Sequence, residues 1–246
     1  MNNEKTFKVK DLTATEFVNE LMNHASEEQA KKSRRYFKTG KGDYGEGDVF
    51  IGVKMGQIFE LVKAYSEMPI EEIEKLLENE IHEIRAGGVS IMDKASRKKK
   101  LSPDRLKDFY ELYMRRIDRI NNWDLVDLGC MHLTGCYLFD KKRDILYNLA
   151  KSSNLWERRI AIVSTCYFIR QGDLDDTFAL AEMLVEDKID LIHKGTGWML
   201  RMAGDRDRQK LISFLDKFAS TMPRTMLRYS IEKFDKEERT YYLKLK

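Results

Sequence analysis

Apolar residues recur every three or four positions through most of this chain, the pattern of helices that bury one face. Alternation of apolar and polar residues, which marks half-buried strands, is almost absent. The spacing predicts a first helical pair over about Thr13 to Asn23 and Glu27 to Lys38, opened by the capping-box pattern Thr13-Ala14-Thr15-Glu16. A glycine-rich stretch from Thr39 to Asp48 separates it from a second pair, about Phe50 to Ser66 and Ile70 to Ala86, with Pro69 at the turn. A third pair covers Pro103 to Arg119 and Trp123 to Phe139. Three more follow: Lys141 to Lys151 with Trp156 to Gln171, Leu174 to Glu186 with Ile189 to Ala203, and Asp207 to Ala219 with Arg224 to Phe234.

Helix pairs repeating at roughly 30 to 45 residues describe an all-α protein, a right-handed-type α-solenoid of about six HEAT-like pairs rather than a closed bundle. The repeats differ from one another in sequence, so the element pattern carries this reading. It takes residues 1–246 as one domain. Curvature of such a solenoid leaves a concave face lined by the second helix of each pair. That face would gather Tyr36, Trp123, Asp127, Arg159, Lys194, Trp198, Arg224 and Arg228.

The 44 basic and 41 acidic residues leave a net charge of +3, too little to mark a nucleic-acid binder by total alone. Distribution changes the picture. Between positions 31 and 41 stand Lys31, Lys32, Arg34, Arg35, Lys38 and Lys41 with no acid among them. Further basic clusters lie at 97–100, 115–119, 141–143, at Arg158 with Arg159, and at Arg224 with Arg228, whereas 67–83 is rich in acid. Such segregation fits a phosphate-binding face, although charged helix faces are also simply solvated. The cysteines Cys130, Cys136 and Cys166 show no CxxC spacing, so a reducing cytoplasm is the simplest compartment. The start, MNNEKTFKVKDL, lacks a signal-peptide pattern, and no apolar run approaches the roughly 18 residues of a membrane span.

Gly40, Gly42 and Gly45 match GxGxxG, but a basic helix precedes them where a dinucleotide site needs a strand. An interhelical loop is the plain reading, and a backbone contact to DNA phosphate the alternative. Cys130, His132 and Cys136 scatter around a helix, and no histidines pair at ligand spacing, so no metal and no cofactor is expected. Trp123 and Asp127 stand one helical turn apart. A π-face beside a carboxylate suits a cationic or oxocarbenium-like species; core packing and capping would also account for the pair. Trp198 lies beside Gly195 and Gly197, as a packing residue or as a ligand contact, and Arg159 is either a phosphate ligand or half of a salt bridge.

The segments SRRYFKTG, NNWDLVD, LWERRIAIVSTCYFI, HKGTGWMLR and MPRTMLRYSIEK, in this order, resemble the DNA alkylation repair family of HEAT-like repeat glycosylases, the AlkD type, over roughly residues 10 to 240. The resemblance implies hydrolytic release of N3- and N7-alkylated purines from duplex DNA, without a metal and without flipping the base. It assigns Asp127 as the catalytic carboxylate and Trp123 and Trp198 as the aromatic pair against the lesion's deoxyribose. Arg159 is then the arginine at the nearby phosphate, with Arg158 as the alternative counterpart, and Tyr36 borders the lesion. Arg35, Lys38, Lys194, Arg224 and Arg228 complete the expected DNA contacts. The implied partner is double-stranded DNA bearing alkylated bases, met in the cytoplasm at the nucleoid; a monomer suffices and no membrane is involved. A structure-specific DNA binder without excision activity and a HEAT-like protein scaffold remain the other readings.

Overall fold

A computed structural model of the protein describes residues 12–245. The amino-terminal stretch in which no signal-peptide pattern is read falls outside them up to residue 11. Among the described residues every regular element is helical, and one isolated parallel bridge joins Val49 to Ile81. The chain divides into two compact units at Lys98/Lys99.

The amino-terminal unit contains α1 (Ala14–Met22), α2 (Glu27–Tyr36), α3 (Met55–Ala64), α4 (Ile70–Leu77) and α5 (His82–Ser96). The capping residue Thr13 accepts from the Glu16 N–H at 3.2 Å, as its sequence pattern predicts. Helix α2 buries only Ala30. It is held instead by the Ser26 cap, by Glu27 and Glu28 in the first turn and Arg34 and Arg35 in the last, and by the Lys32–Glu28 and Arg34–Glu27 ion pairs, both 2.6 Å.

Helix α5 departs from the predicted pattern, which runs one helix from Ile70 to Ala86. The chain breaks after Leu77, and α5 then continues to Ser96 with nearly every residue buried. A helix wrapped on all sides has no polar face, so spacing alone does not reveal it. Its polar residues hold the segment 48–52 that leaves the glycine-rich stretch. The Glu83 carboxylate accepts from the N–H groups of Gly52 (2.8 Å) and Ile51 (3.2 Å). Arg85 pairs with Asp48 at 2.6 Å, and the His82 N–H donates to the Val49 carbonyl at 2.8 Å. Phe37, Phe50 and the His82 ring stack with centroids 4.6–5.0 Å apart. Residues 48–52 are thereby fixed, so α3 begins at Met55 rather than at Phe50.

The carboxy-terminal unit runs from α6 (Pro103–Arg115) through α7 (Trp123–Gly129), a π-helical segment (Cys130–Gly135) and α8 (Cys136–Leu138), then α9 (Asp144–Leu149) and α10 (Leu155–Gln171). It continues with α11 (Asp175–Leu184), α12 (Asp190–Gly204), α13 (Arg208–Phe218), α14 (Arg224–Ser230) and α15 (Lys236–Lys244). Short turns join the helices into pairs, and α10 packs against α7, α9, α11 and α12, as α12 packs against α11, α13 and α14. This layering of pairs is the α-solenoid mode. Helix α10 is its core: Asn154 caps one end, accepting from the Trp156 N–H at 2.9 Å. At the other end Gly172, at φ 85°, closes the helix with bonds from Gly172 N–H to Ile169 and from Asp173 N–H to Phe168.

Candidate functional site

The second helices α7, α10, α12 and α14 lie side by side in the carboxy-terminal unit. The buried Asn122 starts α7 by accepting from the Trp123 N–H at 2.9 Å. Trp123 and, one turn on, Asp127 are half-buried. From α10, Arg159 grips Asp127 with both prongs of its guanidinium: Nε to Oδ1 at 3.0 Å and Nη2 to Oδ2 at 2.8 Å. Its Nη1 donates to the Leu191 carbonyl on α12 at 2.6 Å. The Arg159 side chain is 6% exposed and that of Asp127 21%, so one arginine locks a partly open carboxylate between neighbouring layers. Bidentate geometry fixes its orientation as well as its charge.

Burial raises the Asp127 carboxyl above the ordinary carboxylate value of 3.8, the Arg159 guanidinium pulls it down, and the nearby Asp124 pushes it up again; the net direction is upward. Beneath it lie Tyr113, whose hydroxyl burial also holds protonated, and Cys130, raised by the same cause.

Helix α12 brings Trp198, half-buried, three residues beyond Gly195. A Cβ on Gly195 would stand 3.0 Å from Arg159 Nη1, and one on Gly197 would stand 2.6 Å from the Met226 carbonyl oxygen of α14. The two glycines thus do different work: Gly195 leaves room for the guanidinium, and Gly197 lets α14 approach. Gly197→Ala is expected to cost about 1–3 kcal/mol by overpacking against backbone, more than the roughly 1 kcal/mol that alanine returns in helix propensity. Gly195→Ala should cost less, since a side chain can shift. Thermal melts check the order.

The other expected DNA contacts divide. Arg158 is committed internally: its Nε meets Asp187 at 2.6 Å and its Nη1 donates to the carbonyls of Ser152 and Ser153. It secures the turn before α10 and is not carried forward as a DNA ligand. Lys194 pairs with Asp190 at 2.7 Å, and the half-buried Arg224 donates to the Leu243 carbonyl. Arg228 is exposed. In the amino-terminal unit Arg35, Tyr36 and Lys38 are exposed at the end of α2, Tyr36 at 65%. Phe37, half-buried in the aromatic stack, lies beside the outward-facing Tyr36, and Lys38 adopts φ 51°. The basic cluster 141–143 is partly structural, because Arg143 binds Asp173 at 2.7 Å and lies 4.0 Å over the Phe168 ring.

Sequence reasoning missed Leu191 and Asp187 as parts of this arrangement. A cavity of about 390 Å³ between α11 and α13, floored by Phe178, Phe214 and Phe218, shares no residue with the site. Among the described residues no group of three or more His, Cys, Asp or Glu converges, and no helix is long and apolar enough to cross a membrane.

A family model described as DNA alkylation repair enzyme matches residues 17–234. No curated protein matches the chain. A solved structure titled "Predicted DNA alkylation repair enzyme from Enterococcus faecalis" is similar at a TM-score of 0.68 and 17% identity, covering 87% of this chain and 98% of that one. At that identity the likeness speaks for the fold.

Proposed function

Because the chain belongs to the DNA alkylation repair enzyme family, we propose that it is a DNA glycosylase that hydrolyses the N-glycosidic bond of N3- and N7-alkylated purines in duplex DNA. The observation that carries this reading is the carboxylate of Asp127, held in a fixed orientation by Arg159, one-fifth exposed, and one turn from a half-buried tryptophan.

An N3- or N7-alkylated purine is cationic and leaves without being protonated. What remains for the protein is to stabilise the positive charge that develops on the sugar and to direct water to its anomeric carbon. A preorganised carboxylate does the first electrostatically, at no reorganisation cost, and the second by accepting a proton from the attacking water. Trp123 and Trp198 add π-faces that favour a cation and exclude bulk solvent. The raised carboxyl value of Asp127 makes it a better proton acceptor than a solvated aspartate. A base that leaves from within the stack needs no deep pocket, and the site sits on helix faces apart from the α11–α13 cavity.

Arg159, whose three guanidinium nitrogens already donate to Asp127 and Leu191, orients the carboxylate, and Arg224, Arg228 and Lys194 are assigned to the phosphates near the lesion. Tyr36, Arg35 and Lys38 form a second exposed set for backbone contact. Phosphate neutralisation of this kind weakens steeply with salt. The chemistry uses no metal, and the action is placed in the cytoplasm, on chromosomal DNA.

The test is excision from a duplex carrying a single 7-methylguanine, read as strand cleavage after alkali. Excision that is unchanged by EDTA is expected, with a rate that falls as pH drops through the Asp127 carboxyl value. Since that value is raised in the folded protein, the acid limb should lie above 3.8. The stability linkage has the opposite sense: a raised carboxyl favours the folded state fully below its unfolded value, and the benefit disappears as pH rises through the folded one. Activity and stability should therefore move in opposite directions across that range. An acid limb at or below 3.8 would remove Asp127 from the mechanism.

A further inference from the structure

Three sulfur atoms from three neighbouring layers of the carboxy-terminal unit meet beside the Asp127–Arg159 pair. Cys166 Sγ, on α10, lies 3.6 Å from Met131 Sδ on the π-helical segment and 4.0 Å from Met202 Sδ on α12. Cys166 is 5% exposed, while both methionines are half-buried, so the cluster is reached from solvent past the thioethers. Its members continue the faces that carry the site: Met131 follows Asp127 by four residues, Met202 follows Trp198 by four, and Cys166 follows Arg159 by seven.

We propose that Cys166, Met131 and Met202 form a binding site for a monovalent thiophilic cation, with copper(I) as its natural occupant. One thiol and two thioethers make a wholly soft donor set, which selects copper(I) over zinc, magnesium or calcium. A trigonal metal bonded to three sulfurs at about 2.3 Å places those sulfurs about 4.0 Å apart, close to the two spacings from Cys166 to Met131 and to Met202. The step balances without an oxidant: Cys166 releases its proton to solvent, the thiolate binds Cu⁺, and the product is neutral, so no net charge is buried. Sulfur atoms also pack against one another without a metal, and the experiment separates the two.

Full-length reduced protein is titrated anaerobically with copper(I) in competition with bicinchoninate. The wild type is expected to withdraw one equivalent. Cys166→Ala should lose it, and Met131→Leu and Met202→Leu, which conserve volume, should each weaken it by about tenfold or more. Cys136→Ser should bind as the wild type does. X-ray absorption should show a first shell of sulfur alone. Copper held equally by Cys166→Ala, methionine variants as tight as wild type, or nitrogen and oxygen in the first shell would each overturn the site and leave a packing cluster. Because the readout is metal affinity, these outcomes are independent of whether the protein excises bases.

Discussion

Asp127→Asn protein is expected to bind methylated duplex DNA about as the wild type does and to release the modified base roughly 10²- to 10³-fold more slowly, the usual loss when one preorganised charge-stabilising group is removed. The substitution keeps the shape of the side chain and one acceptor for Arg159, but it removes the charge that opposes the developing sugar cation and the base that takes the water's proton. Binding should hold, or tighten slightly, because an anion facing phosphate has been neutralised. Single-turnover excision and equilibrium binding, measured on the same preparation, separate the two effects. Excision at the wild-type rate would show that the carboxylate is structural.

Arg159→Ala is expected to destabilise the carboxy-terminal unit strongly, costing about 3–5 kcal/mol as typical of a broken buried ion pair. It strands Asp127 without its cation and frees the Leu191 carbonyl, the two partners that the guanidinium now joins across α7, α10 and α12. The loss is also pH-dependent. Without Arg159 the influence that lowers the Asp127 carboxyl disappears, so its value rises further. The penalty is present while the carboxylate is ionised and is relieved as pH falls through that higher value. Thermal melts at neutral and mildly acidic pH should therefore differ less at the acidic end. A penalty independent of pH would mean that the arginine stabilises by packing alone. Arg159→Lys should recover only part of the loss, since an ammonium cannot make the paired bonds.

Much of the fold is legible in the sequence where helices have one wet face. Helices α1, α11, α12 and α13 lie within a few residues of their predicted bounds, and the Thr13 cap is read directly. Legibility fails where tertiary context replaces the wet face. Helix α5 is buried on every side and carries His82, Glu83, Arg85 and Asp93 inward, so its composition resembles a polar connection. Helix α15 buries only Tyr242 and rests on its Asp235/Glu238 capping box, which gives no apolar period to detect. The predicted single helix from Trp123 to Phe139 contains a π-helical segment at 130–135, where Gly135 sits against the Ser164 carbonyl; the cause is contact with α10, not local propensity.

At the site, the Trp123–Asp127 spacing is local and visible, whereas the partners of the arginines are not. Arg159 and Asp127 are 32 residues apart, Arg158 and Asp187 29, Arg143 and Asp173 30, and Arg208 and Glu238 30. That recurring separation is one solenoid layer. Opposite charges about 30 residues apart were the available signal for which cations are internally paired; it marks Arg158 and Arg159 alike and leaves Arg35, Lys38 and Arg228 exposed.

Glycosylase action through Asp127 is tested most directly by one measurement: free base released from methylated duplex DNA by the wild-type protein, resolved chromatographically and run beside Asp127→Asn. It predicts 7-methylguanine and 3-methyladenine from the wild type and almost none from the variant, with both proteins bound to the DNA. Salt-sensitive binding by both proteins with no base released by either would contradict it, and would make this a DNA-binding member of its family rather than a glycosylase.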